Sequence, residues 1–385
     1  MEHILKIYGR ILRKMDSISL NITREVVESI DFKGNIKDIK PFGNGHINDT
    51  FLVLCDLENG EENKYILQRI NHEIFKDVEN LMENYCNVCD YLKDVVSQNG
   101  GDIYRETVTV VPTKDGKSFI KDSYGNYWRA ILLIENTISH DVISSPEDFY
   151  KTGKAFGNFQ SMLSGYNAES LYESIPDFHN TKERFKTFIN AVEENKVGRR
   201  DSVSDEIKFI LDREKDTALL LDMLSEGKLP LRVTHNDTKI NNVLMDNDTK
   251  EGICVIDLDT VMPGLVAYDF GDAIRSGGTY AAEDEKDLDK VFVALELFEA
   301  FTKGFIESGK SSLTKTEIEM LPMGAKVITL EQGIRFLTDY LNGDTYYKTS
   351  YENQNLYRTR TQLKLVADME AKWNDLNNIV SKYMK

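Results

Sequence analysis

The 385-residue chain holds only four cysteines, at positions 55, 86, 89 and 254. Four scattered thiols cannot staple a fold together, which excludes a disulfide scaffold. Cys86 and Cys89 form a C-x-x-C, but they sit in a helical pattern with no second pair to complete a zinc site, so they read as core-facing thiols. Positive charge is in deficit: 47 Lys and Arg stand against 64 Asp and Glu, a net charge of −17. That balance argues against general affinity for nucleic acid or an anionic membrane. It also means that any phosphate site must supply its own local positive charge. No apolar run approaches the roughly 18 residues needed to cross a bilayer. The opening residues Met1-Glu2-His3-Ile4-Leu5-Lys6 lack the basic-then-apolar plan of a secretion signal, so a reducing cytoplasm is the expected location. Internal repeats and low-complexity tracts are absent as well.

What remains is an ordinary globular composition, 41% apolar and 29% charged, with length enough for two core-bearing domains. Residues 1–30 carry Ile4, Ile7, Ile11 and Leu12 at helical spacing and read as an N-terminal helical extension. Residues 31–136 are strand-rich around 39–42, 50–54, 64–68, 108–111 and 127–134. One helix interrupts them, on the stripe Ile74, Val78, Leu81, Tyr85, Val88, Leu92 and Val95. The Ser145-Pro146-Glu147-Asp148 run then starts a helix, and Thr314-Lys315-Thr316-Glu317 has the form of a capping box. Residues 137–385 are predicted to be mostly helical, broken by a strand-rich island at 231–257. The expected class is α+β: a small antiparallel-sheet lobe and a larger helical lobe, joined near Glu135-Asn136.

The island carries the chemistry. Strands 243–245 and 253–256 flank a seven-residue turn and can pair as a hairpin. Pairing brings Asn242 beside Asp257, with Asp237 on the loop just before. Three oxygen donors at one hairpin end suit phosphoryl transfer from MgATP. Mg²⁺ takes hard oxygen ligands and keeps phosphate oxygens and waters as the rest. A nearby carboxylate orients the attacking hydroxyl and accepts its proton. Asp259 lies two residues beyond Asp257 and shares its face if the strand continues, which would allow a second metal contact or a substrate contact.

His235-Asn236-Asp237 followed by Asn242 resembles the H-x-D-x-x-x-x-N catalytic loop of protein-kinase-like folds, and Asp257 stands where those folds place a metal-binding Asp. Ile256-Asp257-Leu258-Asp259 in place of Asp-Phe-Gly is closest to the aminoglycoside phosphotransferase and choline kinase branch. Within it, the run 235–244, the run Val255 to Gly264 and Tyr268-Asp-Phe-Gly-Asp272 resemble N-acetylhexosamine 1-kinases, as do Gly43 to Phe51 and Glu331 to Leu341. The resemblance spans about 40 to 365. It implies a bilobal protein-kinase-like fold, ATP and Mg²⁺ as cofactors and a small-molecule sugar as partner. Asp237 would be the catalytic base for an anomeric hydroxyl, and Asn242 and Asp257 the metal ligands. His235 and Asp269 would brace the loop. Gly43, Asn44 and Gly45 would cover phosphates, and Ile134 and Glu135 would meet adenine. His46, Asn48, Asp49, Asp259, Thr260, Arg335 and Tyr346 would lie toward the acceptor, with Asp344 and Tyr347 as neighbours.

One departure stands out. Where kinases place a phosphate-binding Lys, this chain has Tyr65-Ile66-Leu67-Gln68-Arg69. Strand alternation turns only one of Gln68 and Arg69 inward. If Arg69, its pairing with a helix glutamate (Glu79 or Glu83) survives; if Gln68, it is lost. Arg335 also has two readings. Glu331, Arg335 and Asp339 at i, i+4 and i+8 could form a surface ladder. The apolar neighbours Ile334, Phe336, Leu337, Tyr340 and Leu341 instead suggest a buried segment, where an arginine needs an acceptor. The rivals are another hydroxyl acceptor on the same scaffold (a hexose, an aminoglycoside, choline or homoserine) and a catalytically silent nucleotide-binding protein.

Overall fold

The computed structural model describes residues 22–43 and 47–384. The predicted helical positions Ile4, Ile7, Ile11 and Leu12, and the loop residues Asn44, Gly45 and His46, lie outside the described residues. The chain divides into two compact units, Met1–Asn136 and Thr137–Lys385.

In the first unit, the described residues form one antiparallel sheet. Its strands are β1 Asn35–Pro41, β2 Asp49–Asp56, β3 Glu62–Ile70, β4 Val110–Val111, β5 Ile120–Lys121 and β6 Tyr127–Leu132. The order is β1-β2-β3-β6-β4, with β5 also on β6. Alternation sorts the side chains. Phe51, Val53, Tyr65, Leu67, Trp128 and Ala130 share a core with Val26 and Val27 of helix Arg24–Ser29 and with Ile30, which caps it. Helix Val78–Gln98 is capped by Asp77, whose side chain accepts the Asn80 N–H. It buries Val78, Leu81, Met82, Tyr85, Val88, Cys89, Leu92 and Val96. The predicted stripe slips at both ends: Ile74 is exposed in the turn before the helix, and Val96 rather than Val95 completes the buried face. The four cysteines are free thiols.

The second unit is largely helical. Helix Pro146–Met162 starts on the Ser145 cap with proline in its first turn, and the Thr314–Glu317 capping box is formed at both of its bonds. Short strands β7 Thr137–Ile138, β9 Val243–Asp246 and β10 Gly252–Val255 form one sheet, and β8 Arg232–Thr234 pairs with β11 Met262–Gly264. Helix Leu321–Asn342 is buried along most of its length. It meets helix Val266–Gly277 at two glycines. A Cβ on Gly324 would stand 2.1 Å from the Ala267 carbonyl oxygen, and one on Gly271 would stand 2.4 Å from that of Gly324. Backbone-to-backbone approach at this crossing leaves room for nothing larger than hydrogen. It fixes the two helices that carry the side chains described next. Among the described residues, no helix is long and apolar enough to cross a membrane.

Candidate active site

The loop after β8 is held by two carboxylates one turn apart on helix Val266–Gly277. Asp269 accepts the backbone N–H of His235 at 2.9 Å and of Asn236 at 2.7 Å, and the Gln160 side-chain amide at 2.6 Å. Asp272 accepts the Thr238 N–H at 2.9 Å with one oxygen and the Arg275 guanidinium with the other. Asn236 is thereby fixed at φ 63°, a left-handed conformation that needs such support. Its amide donates to the carbonyls of Thr234 and Thr260, and the Thr260 hydroxyl donates to the His235 carbonyl at 2.7 Å. Thr260, placed toward the acceptor by resemblance, therefore spends its hydroxyl on the loop. His235 is fully buried between Phe156 and Phe159. Its Nδ1 accepts the Asp237 N–H at 3.3 Å, so Nε2 is the protonated nitrogen and donates to the Ile256 carbonyl at 2.9 Å. One imidazole thus ties the Asp237 loop to the residue preceding Asp257.

Asp237 presents its carboxylate with 24% of the side chain exposed. One oxygen accepts from the Asn242 amide at 3.0 Å, and the other pairs with Lys239 at 2.7 Å. Burial alone would raise this carboxyl, but the charge of Lys239, its hydrogen bond and the Asn242 amide hold it below the ordinary aspartate range. Lys239 is raised in turn, chiefly by the charge of Asp237. A carboxylate kept ionised can accept a proton, and the cation beside it can steady a transferring anion.

Asn242 ends a short 3-10 turn and enters β9. Val255 pairs with Val243, and the Ile256 N–H donates to the Asn242 carbonyl at 2.9 Å, so Asn242 and Asp257 meet at one end of the hairpin. Asp257 is exposed, at φ 61°. The strand does not continue through it. Residues Leu258–Thr260 form a 3-10 turn, which buries Asp259 away from the Asp257 face. The shared face on which a second role for Asp259 depended is therefore absent. The Asn242 amide nitrogen is spent on Asp237, which leaves its side-chain oxygen for a cation. With the Asp257 carboxylate, that makes a two-oxygen set fit for Mg²⁺, which takes one or two protein ligands and completes its shell with phosphate and water. Among the described residues, no cluster of three His, Cys, Asp or Glu is arranged to hold a metal by itself.

Helix Leu321–Asn342 brings a second group of side chains. Glu331 turns inward, accepting from the Thr181 hydroxyl at 2.6 Å and facing His179 Nδ1 at 2.9 Å. Burial would raise its carboxyl, yet His179, Arg335 and Thr181 bring it below the ordinary range. The other His179 nitrogen faces the Asn236 carbonyl at 3.4 Å, so this imidazole spans from the helix to the Asp237 loop. Asp339 accepts the backbone N–H groups of Thr345, Tyr346 and Tyr347 and the Asn355 amide, all within 3.0 Å. Asp344 is taken by Arg199 and Asn355. The ladder reading of Glu331, Arg335 and Asp339 is thus replaced: both carboxylates point to other partners. Arg335 is half-buried rather than enclosed. Its guanidinium donates to the Gln332 side-chain oxygen at 3.2 Å, has the Tyr346 hydroxyl as a further partner, and lies over the rings of Phe178 and Tyr347. Among the described residues, no carboxylate lies within ion-pair distance of it. Tyr346 stands 68% exposed against Tyr347.

In the first unit the Gln68/Arg69 register is resolved. Arg69 pairs with Asp49 on the neighbouring strand. Gln68 lies on the opposite face and accepts two bonds from Arg129 of β6, at 2.9 and 2.8 Å. Glu79 and Glu83 are exposed, so the glutamate pairing available to an inward Arg69 is not made. Asn48 is buried, and its side-chain oxygen accepts the Asn71 N–H. Gly43 adopts φ 73°. Ile134 is buried, while the Glu135 carbonyl accepts from Arg105 at 3.0 Å. Lys239, Asp272, His179 and Arg129 were not singled out by sequence, and Asp339 was read only as one rung of a surface ladder. Lys239, Asp272 and Asp339 lie inside the motif runs; His179 and Arg129 do not.

Comparison with known proteins identifies the fold and the family. Residues 38–299 match the model of APH, the phosphotransferase enzyme family. Among solved structures, an aminoglycoside phosphotransferase from Alicyclobacillus acidocaldarius superposes with TM-score 0.60 at 12% identity, covering 94% of this chain and 98% of that one. An amicoumacin kinase, hAmiN, solved with AMP-PNP and Ca²⁺, gives 0.57 at 12% identity over 94% and 96%. A microcompartment-associated aminopropanol kinase gives 0.56 at 17% identity over 92% and 97%. These likenesses establish the protein-kinase-like α+β fold, and the family match spans well over half of the chain. The chain belongs to the phosphotransferase enzyme family, whose kinases act on hydroxyl acceptors.

Proposed function

We propose that this phosphotransferase uses ATP to phosphorylate the anomeric hydroxyl of an N-acetylhexosamine. Asp237 is the base. Its two hydrogen-bonded oxygens are held ionised, and an anomeric hydroxyl, more acidic than an ordinary alcohol, asks little of it. Lys239 balances the charge of Asp237 and stands ready to steady the phosphoryl oxygens. Mg²⁺, held by the Asn242 side-chain oxygen and Asp257, would neutralise phosphate charge when bound. The loop tied down by Asp269 and Asp272 keeps Asp237 in place without reorganisation.

The observation that carries the acceptor class is Arg335. A guanidinium in ion-pair contact with no carboxylate, over aromatic rings, would disfavour a quaternary amine or an aminoglycoside ammonium, although the buried Glu331 is close enough to feel its charge. It would donate well to an acetamido oxygen or a sugar hydroxyl. A cationic amino alcohol is the competing reading, supported by the aminopropanol and aminoglycoside kinases of the same fold. The deciding experiment is a screen of ATP consumption across free N-acetylhexosamines, hexoses, choline, homoserine and aminoglycosides. Turnover with a free amino sugar and none with its 1-O-methyl glycoside supports the proposal. Turnover confined to choline or an aminoglycoside refutes it.

A further inference from the structure

Three side chains stand directly opposite one another across β2, β3 and β6: Thr50 pairs with Gln68, and Gln68 pairs with Arg129. Arg129 is only 1% exposed, yet it carries a permanent charge. Its guanidinium lies 4.3 Å over the Tyr85 ring of helix Val78–Gln98, and it delivers two N–H bonds to the same oxygen of Gln68. An arginine can only donate, so Gln68 must turn its oxygen to Arg129 and its NH2 the other way. That NH2 donates one hydrogen to the Thr50 hydroxyl at 3.3 Å. Among the described residues, the second Gln68 hydrogen and the Thr50 hydroxyl hydrogen have no side-chain or backbone acceptor. Gln68 and Thr50 are both partly exposed. The row therefore starts in a buried cation and ends in two polarised donors at the surface of the sheet. A row that offers only donors fits a ligand that offers only acceptors.

We infer that Thr50 and Gln68, polarised by the buried Arg129, bind the phosphate chain of the nucleotide in place of the lysine this chain lacks. The charge is moved one strand over and delivered through an amide. The helix face over the sheet contributes Tyr85 and Met82 to the surroundings of Arg129, while Glu79 and Glu83 of the same helix are exposed. The cation–π contact helps hold Arg129 in place beneath Gln68.

The inference rests on ATP being the donor, and the test separates the two. Titration calorimetry of the full chain with Mg²⁺ would compare ATP, ADP and adenosine binding for wild type, Thr50→Val, Gln68→Met and Arg129→Gln. Thr50→Val and Gln68→Met change partly exposed side chains and keep their volume, so they remain informative if Arg129→Gln does not fold. Each should weaken ATP and ADP roughly tenfold, the loss of one charge-assisted bond, and leave adenosine unchanged. The double variant Thr50→Val/Gln68→Met should lose less than the product of the single losses, because the two donors act as one row. Equal weakening of all three ligands, or undiminished ATP affinity in both folded variants, overturns the inference while leaving ATP as the donor. Failure of wild type to bind any of the three would overturn both.

Discussion

Replacing Asp269 with asparagine preserves shape while breaking the support of the catalytic loop. The carboxylate takes three donors: the N–H groups of His235 and Asn236 and the Gln160 amide. An asparagine offers one oxygen and one NH2 group. With its oxygen kept on Asn236, the NH2 faces both Gln160, which can flip to present its own oxygen, and the His235 N–H, which cannot. His235 is fully buried, so one orphaned donor results, at about 1–3 kcal/mol. Exchanging a charged acceptor for a neutral one in the surviving Asn236 bond adds about 1 kcal/mol. Part of this is returned, because burial raises the Asp269 carboxyl despite its donors, so the ionised group is not at ease there. The net expectation is a loss of about 1–3 kcal/mol in urea unfolding. Because Asp237 is displaced with the loop, kcat should fall about 100-fold, with the KM for ATP little changed. An Asp269→Asn protein with wild-type stability and kcat would refute this account of the loop.

Other substitutions probe separate parts of the site. In Lys239→Met, the charge that holds the Asp237 carboxyl low is removed while burial still raises it. Since only ionised Asp237 accepts a proton, the acid limb of the kcat/KM profile should move to higher pH; an unmoved limb would deny the coupling. Arg335→Gln should raise the KM for the acceptor about 10- to 100-fold without changing that for ATP. Arg335→Lys should recover little, because a compact ammonium cannot reproduce the stacked planar group. Gly324→Ala forces a Cβ against the Ala267 carbonyl at 2.1 Å, so the helices must part, and about 1–3 kcal/mol of stability should be lost in thermal unfolding.

The core of the site was legible because it is local. His235, Asp237, Asn242 and Asp257 fall within one short run, and two apolar strands around a polar turn are enough to fold that run back on itself. Two helix starts, Pro146–Met162 and Lys315–Glu319, were readable for the same reason, since a Ser-Pro start and a capping box act within one turn. Partners brought in from afar were not readable. His179 reaches Asn236 across 57 positions and Gln68 meets Arg129 across 61, with no local pattern to announce either pair. Lys239 was in view but looked like any solvated charge on a turn. The shared Asp257–Asp259 face was conditional on a continuing strand, and that condition is not met, because the strand stops at Val255 and a left-handed Asp257 leads into a 3-10 turn.

The central claim is that Asp237 is the base of a phosphoryl transfer. Asp237→Asn keeps the shape and the Asn242 contact but cannot accept a proton. Measured side by side, ATP-dependent phosphorylation of the acceptor should fall by about 10²–10⁴-fold while calorimetric ATP affinity stays close to wild type. Turnover retained at the wild-type rate would contradict the account.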